Sequence, residues 1–268
     1  CVLEQGINGH MITLFDGGAH IPLLWTHLIP ATLEGKAVHN VQNAMCASAM
    51  AYSLGATLED IRHGLRTFDT SFFQAPGRMN VFDEHPFKVI LDYAHNPAAV
   101  EAMCKTAAQL SVQGKRIAVL AAPGDRRDQD IDEIGRLAAG NFDYYLCKAD
   151  DDRRGRGFDE APQRIRTSLL EEGVSDDTIK VIPDEQACID HALRMANHGD
   201  LVLIFGDDTT RSWKQIIGYD SEGHPVESGT VPVADVVDLP VLSEYHIETS
   251  DTLIRDEKGV RLAREEND

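Results

Sequence analysis

The stretch Val89-Ile90-Leu91-Asp92-Tyr93-Ala94-His95-Asn96-Pro97 decides the fold of this chain. Its apolar start predicts a short buried strand, and Pro97 opens a segment with helical periodicity. The turn between them carries a carboxylate, an imidazole and an amide. A buried strand that leads through a short turn into a helix is typical of a βαβ unit, so we expect a parallel sheet.

The same alternation continues downstream as far as residue 205. Further strands are predicted at 116–120, 144–147, 180–182 and 201–205, and helices at 98–110, 130–139, 161–170 and 185–196. Short crossovers of this kind join parallel strands. The predicted fold class is therefore α/β, with a Rossmann-like, doubly wound sheet. Polar residues that follow its strands are expected at one edge, where such sheets bind their ligands.

Upstream of this sheet the pattern is different. Strands are predicted at 11–15 and 21–25 around the hairpin turn Asp16-Gly17-Gly18, and helices at 37–54 and 58–68, the second of them capped by Thr57. Ser, Gln, Pro and Gly at 69–77 indicate an interdomain linker. We therefore predict one domain at 1–74, a second at 75–219, and an acidic C-terminal extension at 220–268.

The composition indicates a globular protein with neither a membrane nor a nucleic-acid partner. The chain has 268 residues, 43% of them hydrophobic, and a net charge of −19, whereas a nucleic-acid binder needs a basic face. No apolar run approaches the roughly 20 residues of a membrane helix. The scattered cysteines lack metal-site spacing and indicate reduced thiols in the cytoplasm. The sequence is compatible with a homo-oligomer.

Four segments together carry a family resemblance. They are Val38-His39-Asn40-Val41-Gln42-Asn43-Ala44, Pro76-Gly77-Arg78-Met79-Asn80, Asp92-Tyr93-Ala94-His95-Asn96-Pro97 and Gly124-Asp125-Arg126-Arg127-Asp128. In order and spacing they resemble the HNxxN segment, the linker arginine, the DYAHNP motif and the GDRD loop of the Mur ligase superfamily. Members of this superfamily join amino acids through ATP-dependent acyl-phosphate chemistry. Within it, the chain most resembles the C-terminal part of the cyanophycin synthetases.

The resemblance implies an assignment for each domain. Residues 1–74 would be the end of an α/β central ATPase domain, and 75–219 the Rossmann-like C-terminal domain. The phosphate-binding loop GxxxxGK[ST] of such an ATPase is absent from the sequence. We therefore expect the chain to be part of a longer ligase and to be inactive alone. We also expect the ligands of the Mg²⁺ that accompanies ATP to lie outside it, so no metal-ligating residue is assigned.

The resemblance also implies the nucleotide-binding residues. They are His39, Asn40, Asn43, Arg78, Asp92, His95, Asn96, Asp125 and Arg126. Asp92 and His95 would also act in catalysis, Asp92 by accepting hydrogen bonds from ribose or from a metal-bound water, and His95 by donating to a phosphate oxygen. Asn43 would contact the adenine. For Asn40 and Asn96 a purely structural role as helix caps remains the alternative.

Charged residues after later strands are the candidate substrate-binding residues. They are Asp150, Asp152, Arg153, Arg154, Arg156, Asp207 and Asp208. Carboxylates can pair with a guanidinium in bidentate geometry, and arginines can hold carboxylates of an acidic polymer. A solvated, salt-bridged loop at 150–156 is the alternative.

The resemblance implies a specific reaction, in which arginine is attached to the β-carboxylate of poly-aspartate at the expense of ATP. Within the ligase class, a folylpolyglutamate synthetase or a muropeptide ligase is the alternative. Outside it, the chain would be a non-catalytic nucleotide-binding, substrate-binding or assembly module.

Overall fold

The computed structural model describes residues 1–220 and two short strands near the C-terminus. At the N-terminus, β1 (Val2–Gly6), β2 (Gly9–Asp16) and β3 (Ala19–Trp25) form an antiparallel sheet in the order β1-β2-β3. The predicted hairpin turn is confirmed, with Gly17 and Gly18 at φ values of 54° and 86° that favour glycine. The strand β1 was not predicted as a separate element.

Two helices follow this small sheet, α1 (Val38–Ser53) and α2 (Leu58–Thr67). Thr57 caps α2 as predicted: its hydroxyl accepts from Asp60 N at 3.2 Å, and the Asp60 carboxylate accepts from Thr57 N at 3.3 Å. Buried apolar residues join the helices to the sheet; they include Ile12, Leu24, Val41, Ile61 and Leu65.

A six-stranded sheet forms the centre of the second predicted domain. Its strands are β4 (Asn80–Phe82), β5 (Lys88–Asp92), β6 (Arg116–Leu120), β7 (Tyr144–Cys147), β8 (Ile179–Val181) and β9 (Leu201–Phe205), in the spatial order β4-β5-β9-β6-β7-β8. Strands β5 to β9 are parallel, which confirms the prediction. The unpredicted edge strand β4 is antiparallel to β5, because the connection between them is too short for a crossover.

Helices cover both faces of this sheet, so it is doubly wound. They are α3 (Pro97–Gln109), α4 (Asp128–Ala138), α5 (Glu160–Glu171), α6 (Glu185–Met195) and α7 (Thr209–Ile217). The side chain of Ile90 joins the core cluster of α3, α4 and α5, whereas its neighbours Val89 and Leu91 join that of α6 and α7. Side-chain alternation along each strand thus supplies both cores.

The strand order creates three switch points at the carboxyl edge of the sheet, between β5 and β9, between β9 and β6, and between β7 and β8. Strand β9 lies between β5 and β6. The helix after β9 covers one face of the sheet, whereas the helices after β5 and β6 cover the other face. The helices after the neighbouring strands β7 and β8 also lie on opposite faces. Ligands bind at such switch points in doubly wound sheets, so we expect a binding site among the loops that follow these strands.

The chain divides into two units, Cys1–Val226 and Glu227–Asp268. In the second unit, β10 (Thr252–Asp256) and β11 (Gly259–Ala263) form an antiparallel pair. Apart from Asp220 and these strands, the predicted extension at 220–268 lies outside the described residues. Within the described part of the chain, no helix has the length and apolarity needed to cross a membrane.

Candidate functional site

A cavity of about 420 Å³ brings together residues from four separate segments. His39, Asn40 and Asn43 reach it from α1, Arg78 and Met79 from the linker, and Asp92 from the end of β5; Ala98, Ala99, Ala102 and Met103 of α3 complete its lining. A larger, mostly apolar cavity of about 550 Å³ adjoins these residues and shares Asn40, Asn43 and Arg78. Five of the nine predicted nucleotide-binding residues therefore converge on one cavity.

The α1 side of this cavity has an unsatisfied polar atom. His39 Nδ1 is buried and has no hydrogen-bond partner among the described residues. Burial lowers the pKa of His39 below its ordinary value, which favours the neutral imidazole at pH 7. A buried polar atom without a partner is unfavourable, so a ligand that supplies one would be stabilised here.

Asn40 and Asn43 are linked to each other. Asn43 Nδ2 donates to Asn40 Oδ1 at 3.2 Å, and Asn40 Nδ2 donates to the carbonyl of Ala31 at 2.7 Å. Asn40 is not the helix cap, because Ala37 occupies that position. It ties α1 to the preceding turn and leaves the more exposed Asn43 facing the cavities, as the adenine-contact prediction requires.

The linker holds Arg78 in a fixed backbone shape. The buried Asn80 accepts from Gly77 N at 2.7 Å and donates to the carbonyls of Thr70 and Ala75 at 2.8 and 2.9 Å. Met79 has a φ of 51°, which is uncommon for a residue other than glycine. Surrounding contacts must hold such a conformation in place.

Asp92 supplies one of those contacts. Its Oδ2 accepts from Met79 N at 2.8 Å, and Tyr93 N donates to the carbonyl of Gly77 at 2.8 Å. Burial raises the pKa of Asp92 above its ordinary value, although the bond from Met79 N and the nearby Arg78 oppose this effect. The carboxylate therefore joins the linker to β5 at the wall of the cavity.

We predict that Asp92→Asn preserves the fold. Because the pKa of Asp92 is raised on folding, the folded chain loses stability as pH rises from the unfolded value of about 4 through the raised value. An amide carries no such cost, and its oxygen still accepts from Met79 N. In urea unfolding at pH 7, Asp92→Asn should show an equal or higher midpoint than the wild type, an advantage that disappears below pH 4. A lower midpoint at pH 7 would contradict this account.

His95 and Asn96 lie on the turn after β5, and neither is part of the cavity lining. His95 Nδ1 is 2.9 Å from the carbonyl of Tyr93, which can only accept, so Nδ1 carries the proton. Nε2 can then donate to a phosphate oxygen only when the ring is an imidazolium. Asn96 Oδ1 accepts from Ala99 N at 2.9 Å and caps α3, so it has the structural role left open above.

The loops after β6 and β7 are in close contact. A side chain at Gly124 would meet the carbonyl oxygen of Arg153 at 2.0 Å, so only glycine fits there. Arg156 joins the two loops by donating to the carbonyls of Gly124 and Arg126 at 2.8 and 2.7 Å. It also forms ion pairs with Asp128 and Glu160, so its guanidinium is held by the protein.

The remaining predicted arginines divide into paired and unpaired groups. Arg154 forms an ion pair with Asp125 and a longer one with Asp152 at 3.6 Å. Within residues 1–220, neither Arg126 nor Arg153 forms an ion pair, and Arg126 Nε is buried without a hydrogen-bond partner. Arg153 lies over the ring of Phe158, 5.4 Å from its centroid. These two cations are therefore available to an anionic ligand.

The predicted acidic residues also differ in their surroundings. Asp208 caps α7 by accepting from Arg211 N at 2.9 Å. Asp207 Oδ2 accepts from Asp151 N at 3.0 Å, which joins the loop after β9 to the loop after β7. Asp150 is half-buried, and burial raises the pKa of its carboxyl. The structure thus brings Asp150 and Asp207 to the same end of the sheet.

The site predictions did not include a buried ion pair below these acids. Lys148 Nζ lies 2.6 Å from Glu185 Oε2, and both side chains are fully buried. Burial alone would lower the pKa of Lys148, but Glu185 and Asp150 outweigh that effect and raise it; Lys148 in turn lowers the pKa of Glu185, against the effect of burial. The sequence feature that could have predicted this ion pair is the position of Lys148 directly after the apolar strand β7.

The described residues offer no metal-binding cluster. In the described part of the chain, no group of three or more His, Cys, Asp or Glu side chains has the arrangement of a metal site. The residues around the cavity therefore provide no ligand set for Mg²⁺ within the described part of the chain.

Comparison with known proteins identifies the second domain. Residues 77–207 match the family described as Mur ligase, glutamate ligase domain. The cyanophycin synthetase of Crocosphaera subtropica is 38% identical over 205 residues, which are 76% of this chain and 23% of the relative. A UDP-N-acetylmuramoyl-L-alanyl-D-glutamate--2,6-diaminopimelate ligase of Geobacillus kaustophilus is 33% identical over 222 residues, 81% of this chain and 42% of the relative. The chain spans less than a quarter of the length of the curated cyanophycin synthetases it matches.

A solved structure supports the same fold. Mycobacterium tuberculosis folylpolyglutamate synthase, complexed with ADP and AMPPCP, superposes with a TM-score of 0.58 at 20% identity, covering 82% of this chain and 48% of that protein. At this identity the match shows the fold alone. Together with the sequence matches, it confirms the α/β fold class and the resemblance to Mur ligases and cyanophycin synthetases. Residues 77–207 of this chain therefore form a glutamate ligase domain of the Mur ligase family.

Proposed function

We propose that this chain is the C-terminal part of an ATP-dependent amino-acid ligase of the cyanophycin synthetase type. The observation that carries the proposal is the cavity where α1, the linker and β5 meet. It combines a carboxylate with an arginine and a buried imidazole that have no side-chain hydrogen bond among residues 1–220; these groups suit the ribose, the phosphates and the base of a nucleotide. In this proposal, residues 1–74 end the central ATPase domain, 75–219 form the C-terminal domain, and 220–268 are an extension.

The proposed reaction has two steps. A phosphoryl group passes from ATP to the β-carboxylate of an aspartate polymer, and the amine of arginine then attacks the acyl phosphate and displaces phosphate. Both steps develop charge on phosphoryl oxygens, so the protein contributes mainly positioning and electrostatic stabilisation. Arg78 and a protonated His95 would hold phosphate oxygens. Mg²⁺ would accompany the nucleotide and neutralise part of its charge.

The remaining charged residues would select the substrates. Arg126 and Arg153, which have no ion pair in residues 1–220, would hold carboxylates of the acidic polymer. Asp150 and Asp207 would face the guanidinium of the incoming arginine. Because Arg156 and Asp208 are held by intramolecular bonds, we give them the task of shaping these loops. The free cysteines suit a reducing compartment, so we propose the cytoplasm.

The test is amino-acid-dependent ATP hydrolysis by the full-length ligase. We expect phosphate release to require both arginine and poly-aspartate, and the product to contain arginine in amide linkage by mass spectrometry. Parallel reactions use glutamate with a folate acceptor, and diaminopimelate with a muropeptide acceptor. Turnover only in one of those would replace the cyanophycin proposal by the corresponding ligase. Nucleotide binding without turnover in any reaction would favour the non-catalytic module. The chain expressed alone should show no turnover.

A further inference from the structure

The buried ion pair between Lys148 and Glu185 has no role in the reaction as described so far. Both side chains are inaccessible to solvent, and Nζ and Oε2 are 2.6 Å apart. Removing two charges from water is costly, and an apolar pair of similar shape is often equally stable in such a position. Stability alone therefore gives little reason for charges at the carboxyl end of β7.

Glu185 is the centre of a network that joins three segments. Its Oε2 accepts from Asp207 N at 2.8 Å, and its Oε1 accepts from the Ser212 hydroxyl at 2.7 Å. It thereby fixes both the loop after β9 and the first turns of α7 to the start of α6. The backbone at Asp207 consequently depends on a carboxylate that Lys148 keeps charged.

Lys148 also holds the loop after β7, which carries Asp150 and Asp151. Its Nζ lies 3.5 Å from Asp150 Oδ1, while Arg211 pairs with Asp151 at 2.6 Å and with Glu185 at 3.4 Å. The two cations thus face four carboxylates, those of Asp150, Asp151, Glu185 and Asp207. An excess of negative charge remains, and it lies at the carboxyl ends of β7, β8 and β9.

We propose that Lys148 and Glu185 are positioning residues for the amino-acid substrate. The pair sets the spacing between the carboxylates of Asp150 and Asp207, which lie on different loops, so that together they receive a cationic side chain. This inference rests on the proposed function and deepens it. In this inference the ligase prefers a cationic amino acid to a neutral one of the same shape because of Lys148 and Glu185. Neither of these two residues touches the substrate.

The experiment uses the full-length ligase with the double substitution Lys148→Met/Glu185→Gln. This variant removes both charges and keeps similar volumes. The single amide oxygen of the new glutamine can accept from Asp207 N, and the Ser212 hydroxyl can turn to accept from the amide nitrogen. Arginine is compared with citrulline, which has the same shape without the charge. We expect the KM for arginine to rise at least tenfold, the preference for arginine over citrulline to fall by a similar factor, and the KM values for ATP and poly-aspartate to stay within twofold.

A control removes a second, more exposed ion pair, which joins α5 to the residues before β8. Arg166 and Asp176 lie 2.6 Å apart, and Arg166→Met/Asp176→Asn should leave all KM values unchanged. If the double variant lowers kcat alone and leaves the KM for arginine unchanged, the pair is merely structural and the inference is wrong. If it does not fold, as judged by circular dichroism, Ser212→Ala carries the test, because it removes one hydrogen bond that holds Glu185 and leaves the ion pair intact; the KM for arginine should again rise while that for ATP does not. A wild-type ligase without arginine-dependent turnover would instead overturn the proposed function.

Discussion

Replacing Arg78 with alanine should lower kcat/KM for ATP in the full-length ligase at least 100-fold, with almost no change in the free energy of unfolding. In residues 1–220, the exposed Arg78 guanidinium forms neither a hydrogen bond nor an ion pair. Its Cζ lies over the Tyr93 ring, 5.8 Å from the ring centroid. Its removal therefore costs the fold little. A positioned donor to a phosphoryl oxygen, by contrast, is worth about 10² to 10³ in rate.

The measurement combines steady-state kinetics with urea unfolding. Arg136→Ala is the matched control, because Arg136 is an exposed helical arginine whose ion pair with Glu133 is long at 3.4 Å. It should leave kcat/KM for ATP within twofold. Arg78→Lys should be intermediate, since it keeps the charge and loses the planar fork. Equal kinetics for Arg78→Ala and Arg136→Ala would contradict a nucleotide role for Arg78.

Replacing Asn80 with alanine should lower the free energy of unfolding by about 3 kcal/mol. The Asn80 side chain is fully buried and bonds to three backbone groups of the linker, namely Gly77 N and the carbonyls of Thr70 and Ala75. Each group left buried without a partner costs about 1–3 kcal/mol. The linker would also lose the restraint that keeps Met79 at positive φ, so nucleotide affinity should fall with stability.

Asn141 provides the control for this prediction. Its amide also donates to three backbone carbonyls, those of Leu137, Ala138 and Ala139 at 3.0, 3.4 and 3.2 Å, but it is only partly buried and lies at the end of α4. Asn141→Ala should cost about 1 kcal/mol, because water can replace the lost donor. Urea unfolding with equal m-values measures both variants. Equal losses would show that Asn80 has no special role in the linker.

The sequence predicted the sheet well because its strands are buried on both faces. Continuous apolar runs at 116–120, 144–147 and 201–205 gave strand bounds that match the structure. Two elements of the second domain were not predicted. Strand β4 has only three residues, which is too few for a recognisable period, and α7 has a mostly polar sequence that resembles a loop.

The candidate site could be predicted only in part. Asp92 and Arg78 could be predicted to lie together, and both line one cavity, because each lies next to a recognisable strand or linker motif; that the cavity binds a nucleotide stays a prediction. The structural role of Arg156, which joins the loops after β6 and β7, could not be predicted. It depends on how these loops meet, and they are about 30 residues apart in sequence. Glu185 was missed because a glutamate at the start of a helix normally faces solvent.

The position of β9 has a consequence for how this domain is made. As the last strand of the sheet to be synthesised, it is inserted between β5 and β6, which have no direct pairing with each other. Until residue 205 has left the ribosome, both of these strands therefore present an unpaired edge to the solvent. Folding must wait for a contact of long sequence separation, which slows it and exposes the nascent chain to aggregation. The end of the domain is thus the segment on which chaperone dependence should concentrate.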